Sequence, residues 1–316
     1  MSTRKGLSRI VFSLWIVVIL AAAGIFILIF NNAGIGSTPG SADLTNTPES
    51  TLTPSPMGTS FPSTFTPVPS TPTTIPSSPT PGIHQPQVIG VSVAGRPLEV
   101  YKFGDGPVEK MIIAGIHGGY EWNTIVLADE LIDYLENHSE IVPAEQTLYF
   151  LRAFNPDGYA RSTGFSGRAN ENNVDLNRNF PSYWLAEWPR IGCWDYIPIT
   201  GGTAPASEPE TRALMAFIKA HDLQAFISYH SAALGIFPGG QPLDPGSLSL
   251  AESLAAVSDY PYPPIEAGCA YTGQLIDWVS DQGIPAVDIE LTNHQDSDFP
   301  ENLAILSVFL DWSFSE

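Results

Sequence analysis

Residues 36–86 limit where this chain can fold, because Ser, Thr and Pro occupy 33 of their 51 positions. The segment has two charged residues and no apolar periodicity. Such a composition cannot bury enough apolar surface to offset the conformational entropy that is lost on ordering. We therefore predict a stiff, disordered Ser/Thr/Pro-rich stalk over residues 31–86, with any compact domain beyond it.

An apolar run precedes the stalk at residues 10–30 and contains no charge. As a helix rising about 1.5 Å per residue, it would span roughly 30 Å, the thickness of a bilayer's hydrocarbon core. Three basic residues precede it, and the next one is Arg96. The positive-inside rule predicts a cytoplasmic tail over 1–9, a transmembrane anchor over 10–30 and all later residues outside the cell membrane. The alternative is a cleaved signal peptide, which would make the protein secreted.

The remaining residues, Gln87 to Glu316, have the length of one domain. They carry 10 Lys and Arg against 31 Asp and Glu, a net charge near −21. Because so acidic a surface repels phosphate backbones, we exclude nucleic acid as the main partner. Five of the ten basic residues are arginines between positions 152 and 190. Their concentration there predicts an anion-binding site.

The domain contains both cysteines of the chain, Cys193 and Cys269, and no C-x-x-C motif. A zinc site built from thiolates is therefore not expected. Outside the cell, oxidising conditions favour a Cys193–Cys269 disulfide, and two buried thiols are the alternative.

Two kinds of apolar pattern alternate along the domain. Short runs rich in β-branched and aromatic residues predict strands, and longer amphipathic segments predict helices. The alternation predicts an α/β fold, a single domain with a mixed, mainly parallel sheet and helices on both faces. One helix is expected to follow Ser207 as its N-cap, with Pro209 in its first turn. The predicted strands cover 87–93, 97–103, 110–116, 147–154, 223–230 and 286–291, and the other helices cover 122–137, 247–258, 272–282 and 300–313.

Polar residues stand at the ends of three predicted strands: His117, His230 and Glu290. Ligands of open α/β sheets bind beyond the carboxyl ends of the strands. Two imidazoles and one carboxylate, with a fourth position left for water, form a catalytic zinc set. Zinc lowers the pKa of its water, so a nearby carboxylate could deprotonate that water for attack on a carbonyl.

Each of these residues also has a structural interpretation. A strand-end histidine is often only a hydrogen-bonding group, and Glu290 could be an ion-pair partner. Glu121 could be an acid favoured at the start of a helix. His294, four residues after Glu290, is a rival metal ligand.

A long segment rich in Asn, Gly and Arg favours the catalytic interpretation. Residues 155–181 read NPDGYARSTGFSGRANENNVDLNRNFP, residues 228–231 read SYHS, and residues 271–291 read YTGQLIDWVSDQGIPAVDIEL. This ordered series resembles the zinc carboxypeptidase family, the carboxypeptidase A-like group of peptidase family M14. The resemblance extends over nearly all of 87–316. It implies one zinc carboxypeptidase-like catalytic domain that holds one zinc ion.

The resemblance also implies roles for matching residues at the reaction centre. His117, Glu121 and His230 would hold zinc. Glu290 would act as general base and then pass the proton to the leaving amine. Arg168 would stabilise the oxyanion, a task suited to a fixed cation.

Further matching residues would bind the substrate. Asn177 and Arg178 would hold its terminal carboxylate, to which a guanidinium offers two parallel hydrogen bonds. Tyr271 matches the family's mobile tyrosine, and Tyr262 is the alternative. Ile276 matches the floor of the specificity pocket and implies an apolar C-terminal residue.

The zinc motif departs from the family's usual H-x-x-E spacing. His117 and Glu121 are separated by three residues, in a variant that reads HGGYE. The extra residue could move the carboxylate off the metal. We expect Gly118 and Gly119 to absorb it through unusual φ values, which glycine adopts without steric cost.

The sequence thus predicts a membrane-tethered, monomeric zinc metallocarboxypeptidase that acts on extracellular peptides with a free C-terminal carboxylate. Asp288, on the same strand face as Glu290, could bind a basic group instead. A peptidase acting on γ-D-glutamyl-diaminopimelate links of wall peptides is one alternative. A zinc deacylase of the aspartoacylase kind and a non-catalytic binding module are the others.

Overall fold

The computed structural model describes residues 85–189, 199–232 and 234–314. The predicted tail, the predicted anchor and nearly all of the predicted stalk lie outside these residues, as does Cys193. Among the described residues, no helix has both the length and the apolar character needed to cross a membrane.

One mixed sheet of seven strands forms the centre of the described residues. In chain order the strands are β1 (Gln87–Val91), β2 (Pro97–Phe103), β3 (Val108–Ile113), β4 (Gln146–Leu151), β5 (Leu223–Ser231), β6 (Ile236–Pro238) and β7 (Ala286–Leu291). Their spatial order is β1-β2-β4-β3-β5-β7-β6. The four inner strands β4, β3, β5 and β7 are parallel, and the outer strands pair antiparallel.

Helices cover both faces of the sheet, as predicted. In chain order they are α1 (Trp122–Asn137), α2 (Pro156–Arg161), α3 (Pro209–Lys219), α4 (Pro245–Ala255), α5 (Leu275–Asp281) and α6 (Phe299–Asp311). Buried residues of α1, α4 and α6 belong to one apolar core, and those of α3 and α5 belong to another. Because both faces are covered, β4 and almost all of β5 are buried, as the continuous apolar runs indicated.

Several local predictions need correction. Helix α3 starts at Pro209 with Glu208 as its N-cap, whereas Ser207 donates a hydrogen bond to the Glu208 carboxylate. Helix α5 starts three residues later than predicted, because Gly273 has a φ of +61° and its carbonyl accepts from Phe180 N. Strand β6 and helix α2 were not predicted, since three and six residues are too few to show a period.

Candidate active site

The carboxyl ends of β5 and β7 place four polar side chains in one patch. The parallel register pairs His230 with Glu290 and Ser228 with Asp288. Alternate residues of a strand share a face. The patch therefore presents an imidazole and a carboxylate at the rim of the sheet, with a hydroxyl and a second carboxylate one layer below.

The HGGYE motif forms a 3₁₀ turn over Gly118–Glu121 that leads into α1. Gly118 has a φ of +50°, and a Cβ there would lie 2.7 Å from Gly167 O. A Cβ on Gly119 would lie only 1.9 Å from Ser162 O, although its φ is not positive. The first glycine thus supplies the unusual φ that we expected, and the second is needed for close backbone packing.

His117, Glu121 and His230 are buried, and their ligand atoms lie within 4.8 Å of one another. His117 Nδ1 is 2.7 Å from Glu121 Oε1 and 3.3 Å from His230 Nδ1. Ligands about 2.0–2.1 Å from a tetrahedral zinc ion would themselves be roughly 3.3 Å apart. These residues could therefore hold a metal despite the extra residue, and neither Glu290 nor His294 belongs to this group among the described residues.

The electrostatics of this group also suit a cation. Burial raises the pKa of the Glu121 carboxyl, but His117 and His230 outweigh burial and hold that pKa well below its ordinary value. Glu121 Oε2 is buried without a hydrogen-bond partner among the described atoms. An ionised, buried carboxylate whose Oε1 faces His117 Nδ1 and whose Oε2 faces His230 Nδ1 fits a divalent metal.

Each histidine of the group contacts a second carboxylate through its other ring nitrogen. His117 Nε2 lies 3.2 Å from Asp175 Oδ1, and His230 Nε2 lies 3.3 Å from Asp288 Oδ1 and 3.0 Å from Ser228 Oγ. Such partners orient an imidazole and leave its Nδ1 available to the metal. Asp175 belongs to the DLNR segment, and no role for it was predicted from the sequence. Asp175 could have been recognised from its position two residues before Asn177, in the same motif as both substrate-binding candidates.

Asp175 also holds Arg168. Arg168 Nε donates to Asp175 Oδ2 at 3.0 Å, and Nη2 lies 2.9 Å from the same oxygen. Burial raises the pKa of the Asp175 carboxyl, but Arg168 and His117 lower it well below its ordinary value. Asn155 Nδ2 donates to Arg168 O at 2.9 Å and fixes the backbone. The guanidinium, which lies 5.7 Å from the Tyr120 ring centre, is therefore held beside the metal group.

A cavity of about 310 Å³ opens over these residues. Its wall includes the metal group, Arg168, Glu290, Asn177, Arg178 and Tyr271. Tyr262 and Ile276 are not part of this wall. Burial raises the pKa of Glu290 to about 8; His230 opposes that rise, and Glu121 and Asp288 reinforce it. The cavity therefore contains both a carboxylate that can carry a proton and two guanidinium groups.

Asn177 and Arg178 are fixed by the segment before α5. Asn177 Oδ1 accepts from Leu275 N at 2.9 Å. Arg178 Nη1 donates to Asn177 O at 2.8 Å, and its guanidinium lies 5.3 Å from the Trp188 ring centre. A Cβ on Gly273 would lie 2.3 Å from Arg178 O, so the two segments pack backbone to backbone.

A second, mostly apolar cavity of about 580 Å³ adjoins the first. Ile276 and Tyr262 line it, and it shares Phe237, Tyr271 and Gln274 with the first cavity. Ile276 therefore lies in the wall of the adjoining cavity and not in that of the metal-site cavity. Of the two tyrosine candidates, Tyr271 reaches both cavities.

Cys269 lies in the wall of the first cavity and is disulfide-bonded. Cys193, the partner expected from the sequence, lies outside the described residues. The pairing therefore stays a proposal.

Two buried histidines and a glutamate on an α/β sheet, beside a carboxylate and fixed arginines, define a metallohydrolase-type site. The family model for peptidase M14, zinc carboxypeptidase, matches residues 77–304. The chain belongs to this family of zinc-dependent peptidases, and its fold and metal group agree with that assignment. The predicted family, fold class and zinc cofactor are confirmed.

Two bacterial enzymes are among the relatives to which this chain is similar. Gamma-D-glutamyl-L-diamino acid endopeptidase 1 of Lysinibacillus sphaericus is 28% identical over 241 residues, covering 64% of this chain and 59% of that enzyme. Murein peptide amidase A of Escherichia coli K12 is 28% identical over 209 residues, covering 64% of this chain and 78% of that enzyme. The chain thus spans less than two thirds of the Lysinibacillus enzyme.

A solved structure supports the fold. Bovine thrombin-activatable fibrinolysis inhibitor, in complex with tick carboxypeptidase inhibitor, superposes with a TM-score of 0.58 at 24% identity. The match covers 72% of this chain and 89% of that one.

Proposed function

We propose that this protein is a zinc metallocarboxypeptidase that hydrolyses the C-terminal peptide bond of extracellular peptides. One observation carries the proposal: Arg178 and Asn177 line the same cavity as the metal group, Arg168 and Glu290. A guanidinium fixed beside a hydrolytic centre suits a substrate whose carboxylate lies next to the bond that is cleaved.

Five residues of the cavity wall have defined tasks in this proposal. Zinc held by His117, Glu121 and His230 would polarise the scissile carbonyl and activate water. Arg168 stabilises the negative charge that develops on the carbonyl oxygen. Glu290 accepts a proton from the attacking water and gives it to the leaving amine, so that a peptide and a free amino acid result.

The adjoining cavity supports a preference for an apolar C-terminal side chain. It is lined by Phe237, Leu243 and Ile276, with Tyr271 between the two cavities. Burying such a side chain contributes about 1.5–3 kcal/mol. The terminal carboxylate would then lie at Arg178 and the side chain in this cavity.

A wall peptide that contains diaminopimelate is the second candidate substrate. Asp288 lines the metal-site cavity and is 6% exposed, so its carboxylate could bind a side-chain ammonium. The names of the Lysinibacillus and Escherichia coli relatives point in the same direction.

We also propose that residues 10–30 anchor the protein in the cell membrane as a single-pass helix. The catalytic domain would act outside the cell as a monomer. The charge-free run and its basic flank support the anchor, and a disulfide at Cys269 suits an oxidising compartment. Protease accessibility of the domain in intact cells tests this topology.

The test of activity uses the full-length protein loaded with zinc. We would measure release of the last residue from N-blocked dipeptides that end in Phe, Leu, Lys, Glu or diaminopimelate. The proposal predicts fastest release of Phe or Leu and no release from the C-terminal amide. Glu290→Gln should lower kcat by about 10²-fold or more while zinc stays bound.

Other outcomes separate the alternatives. Release of diaminopimelate alone would keep the mechanism and select the wall-peptide substrate. Hydrolysis of acyl-amino acids in place of dipeptides would select the deacylase. A zinc-loaded protein that hydrolyses none of these substrates would contradict the carboxypeptidase proposal.

A further inference from the structure

His294 lies in the wall of the metal-site cavity, yet it belongs neither to the metal group nor to the roles assigned above. Its Nδ1 is 2.9 Å from Ser231 Oγ, and its ring centre is 4.8 Å from that of Tyr120. Among the described residues, no hydrogen bond to its Nε2 is present. Whether Nε2 carries a proton therefore decides whether His294 donates a hydrogen bond to a ligand or accepts one from it.

That state follows from a chain of hydrogen bonds that starts at two backbone carbonyls. Asn123 Nδ2 lies 2.7 Å from Asn293 O and 2.9 Å from Asp296 O. Because a carbonyl can only accept, the amide nitrogen of Asn123 must face these oxygens. Its Oδ1 then faces Ser231 Oγ at 3.0 Å.

The remaining protons can be placed in the same way. Asn123 Oδ1 can only accept, so the single hydroxyl proton of Ser231 is donated to it. Ser231 Oγ can then only accept from His294, so Nδ1 carries the proton. In neutral His294, Nε2 is consequently an unprotonated hydrogen-bond acceptor. Asn123 is fully buried and Ser231 is 5% exposed, so water does not compete for the hydrogen bonds that place these protons.

Contacts define two groups of residues in the cavity wall. Asn177 and Arg178 form the first, which the proposed function assigns to the substrate's terminal carboxylate. His294 forms the second with its contact residues Tyr120 and Ser231, and we call this group the acyl end. Tyr120 contacts both Arg168 and His294, so the acyl end continues from the oxyanion position. With the terminal carboxylate at Arg178, the residue before the scissile bond extends towards the acyl end.

We propose that His294 Nε2 accepts a hydrogen bond from the backbone N–H of the substrate's penultimate residue. The inference rests on the proposed carboxypeptidase function and adds a substrate-contacting residue on its acyl side. Asn123 and Ser231 act as positioning residues, because they fix the tautomer of His294 through the hydrogen bonds from Ser231 Oγ to Asn123 Oδ1 and from His294 Nδ1 to Ser231 Oγ.

The first test needs no substrate. The full-length protein, labelled with ¹⁵N at its six histidines, would be examined by long-range ¹⁵N–¹H NMR with His294→Gln to assign the signal. The proposal predicts the Nδ1–H tautomer for neutral His294. An Nε2–H tautomer would overturn the relay whether or not the protein is a carboxypeptidase.

The second test compares two ligands that differ by one proton: benzyloxycarbonyl-Gly-Phe and its N-methylglycine counterpart. Wild-type turnover of the first tests the proposed function by itself. Affinity of both for zinc-loaded Glu290→Gln would then be measured by calorimetry, with and without His294→Ala. We expect His294→Ala to weaken the N–H ligand about tenfold and to leave the N-methyl ligand within about twofold.

Control variants complete the test. His138→Ala changes an exposed histidine outside the cavity and should alter neither affinity, and His294→Gln should recover part of the loss because an amide oxygen can accept. Equal loss for both ligands, or loss for neither, would overturn the contact while turnover could still support the carboxypeptidase. Melting temperature and zinc content identify a variant whose loss reflects misfolding.

Discussion

His117 and His230 enter the same metal group from different kinds of backbone. His230 stands within the buried strand β5, where regular pairing with β7 sets its direction. His117 precedes an irregular turn that depends on two glycines with no room for a side chain. The comparison shows that a strand can place a ligand through alternation alone, whereas a turn must be packed atom by atom against its neighbours.

The two histidines also differ in the partners of their outer nitrogens. Asp175 contacts both His117 and Arg168. On the other side, Asp288 and Ser228 both contact His230 Nε2. The turn side of the group therefore depends on one carboxylate, and the strand side has two partners. Four substitutions, in order of decreasing expected effect, test this difference.

Gly119→Ala should have the largest effect. Its Cβ would lie 1.9 Å from Ser162 O, a backbone atom that cannot rotate away. We expect a loss of at least about 3 kcal/mol in the free energy of unfolding, together with loss of zinc. Thermal unfolding and metal analysis measure both quantities.

Gly164→Ala is the matched control for that variant. Its Cβ would lie 3.5 Å from Ser162 Oγ, an ordinary contact. The free energy of unfolding should change by no more than about 0.5 kcal/mol. Similar losses for both glycines would contradict the packing argument.

Asp175→Asn should have the next largest effect, because it weakens the orientation of His117 and removes the charge that holds Arg168. We expect zinc affinity to fall by about 10- to 100-fold. The value of kcat/KM at saturating zinc should fall further by about 10²-fold, as for loss of an oxyanion-stabilising group. Chelator competition and steady-state kinetics separate these two effects.

Asp288→Asn should weaken zinc binding less, by about tenfold, because Ser228 still contacts His230 Nε2. Its kcat/KM with Phe substrates at saturating zinc should change little, since Arg168 keeps its partner. A loss of zinc affinity larger than that of Asp175→Asn would reverse the comparison. Loss of diaminopimelate release alone would assign Asp288 to the substrate.

Ser228→Ala should have the smallest effect. It removes one neutral hydrogen bond while Asp288 remains, so zinc affinity should fall by no more than about fivefold. In the double variant with Asp288→Asn, the free energy of zinc binding should fall by more than the sum of the two single changes. The reason is that neither contact then remains to orient His230 when the other is lost. Simple additivity would mean that the two contacts act independently.

The sequence predicted the regular parts of the site better than the irregular ones. The strand ends and the alternation of side chains predicted His230 and Glu290 at one rim of the sheet. From these residues alone, Glu290 was the expected third metal ligand. The resemblance to the family assigned that role to Glu121 instead. The close approach of Gly119 to Ser162 and the double use of Asp175 depend on contacts between distant segments. Periodicity carries no information about such contacts, so they required the structure.

The specificity region combines a residue that the resemblance assigned with a turn that the sequence did not show. Ile276, which matches the floor of the family's specificity pocket, lines the adjoining cavity that we propose for the C-terminal side chain. Gly273 lies just before α5. Its φ of +61° and its close approach to Arg178 cannot be recognised from the spacing of apolar residues that predicts a helix. The relay through Asn123 to His294 was likewise hidden, because its members come from three separate parts of the chain.

The most direct test of the central claim is zinc-edge anomalous diffraction from crystals of the zinc-loaded protein. We predict one peak, bonded to His117 Nδ1, His230 Nδ1 and Glu121, in spite of the extra residue in HGGYE. The peak should weaken strongly in Glu121→Ala. A peak bonded to Glu290 or His294 in place of Glu121, or its persistence at full height in that variant, would contradict the account.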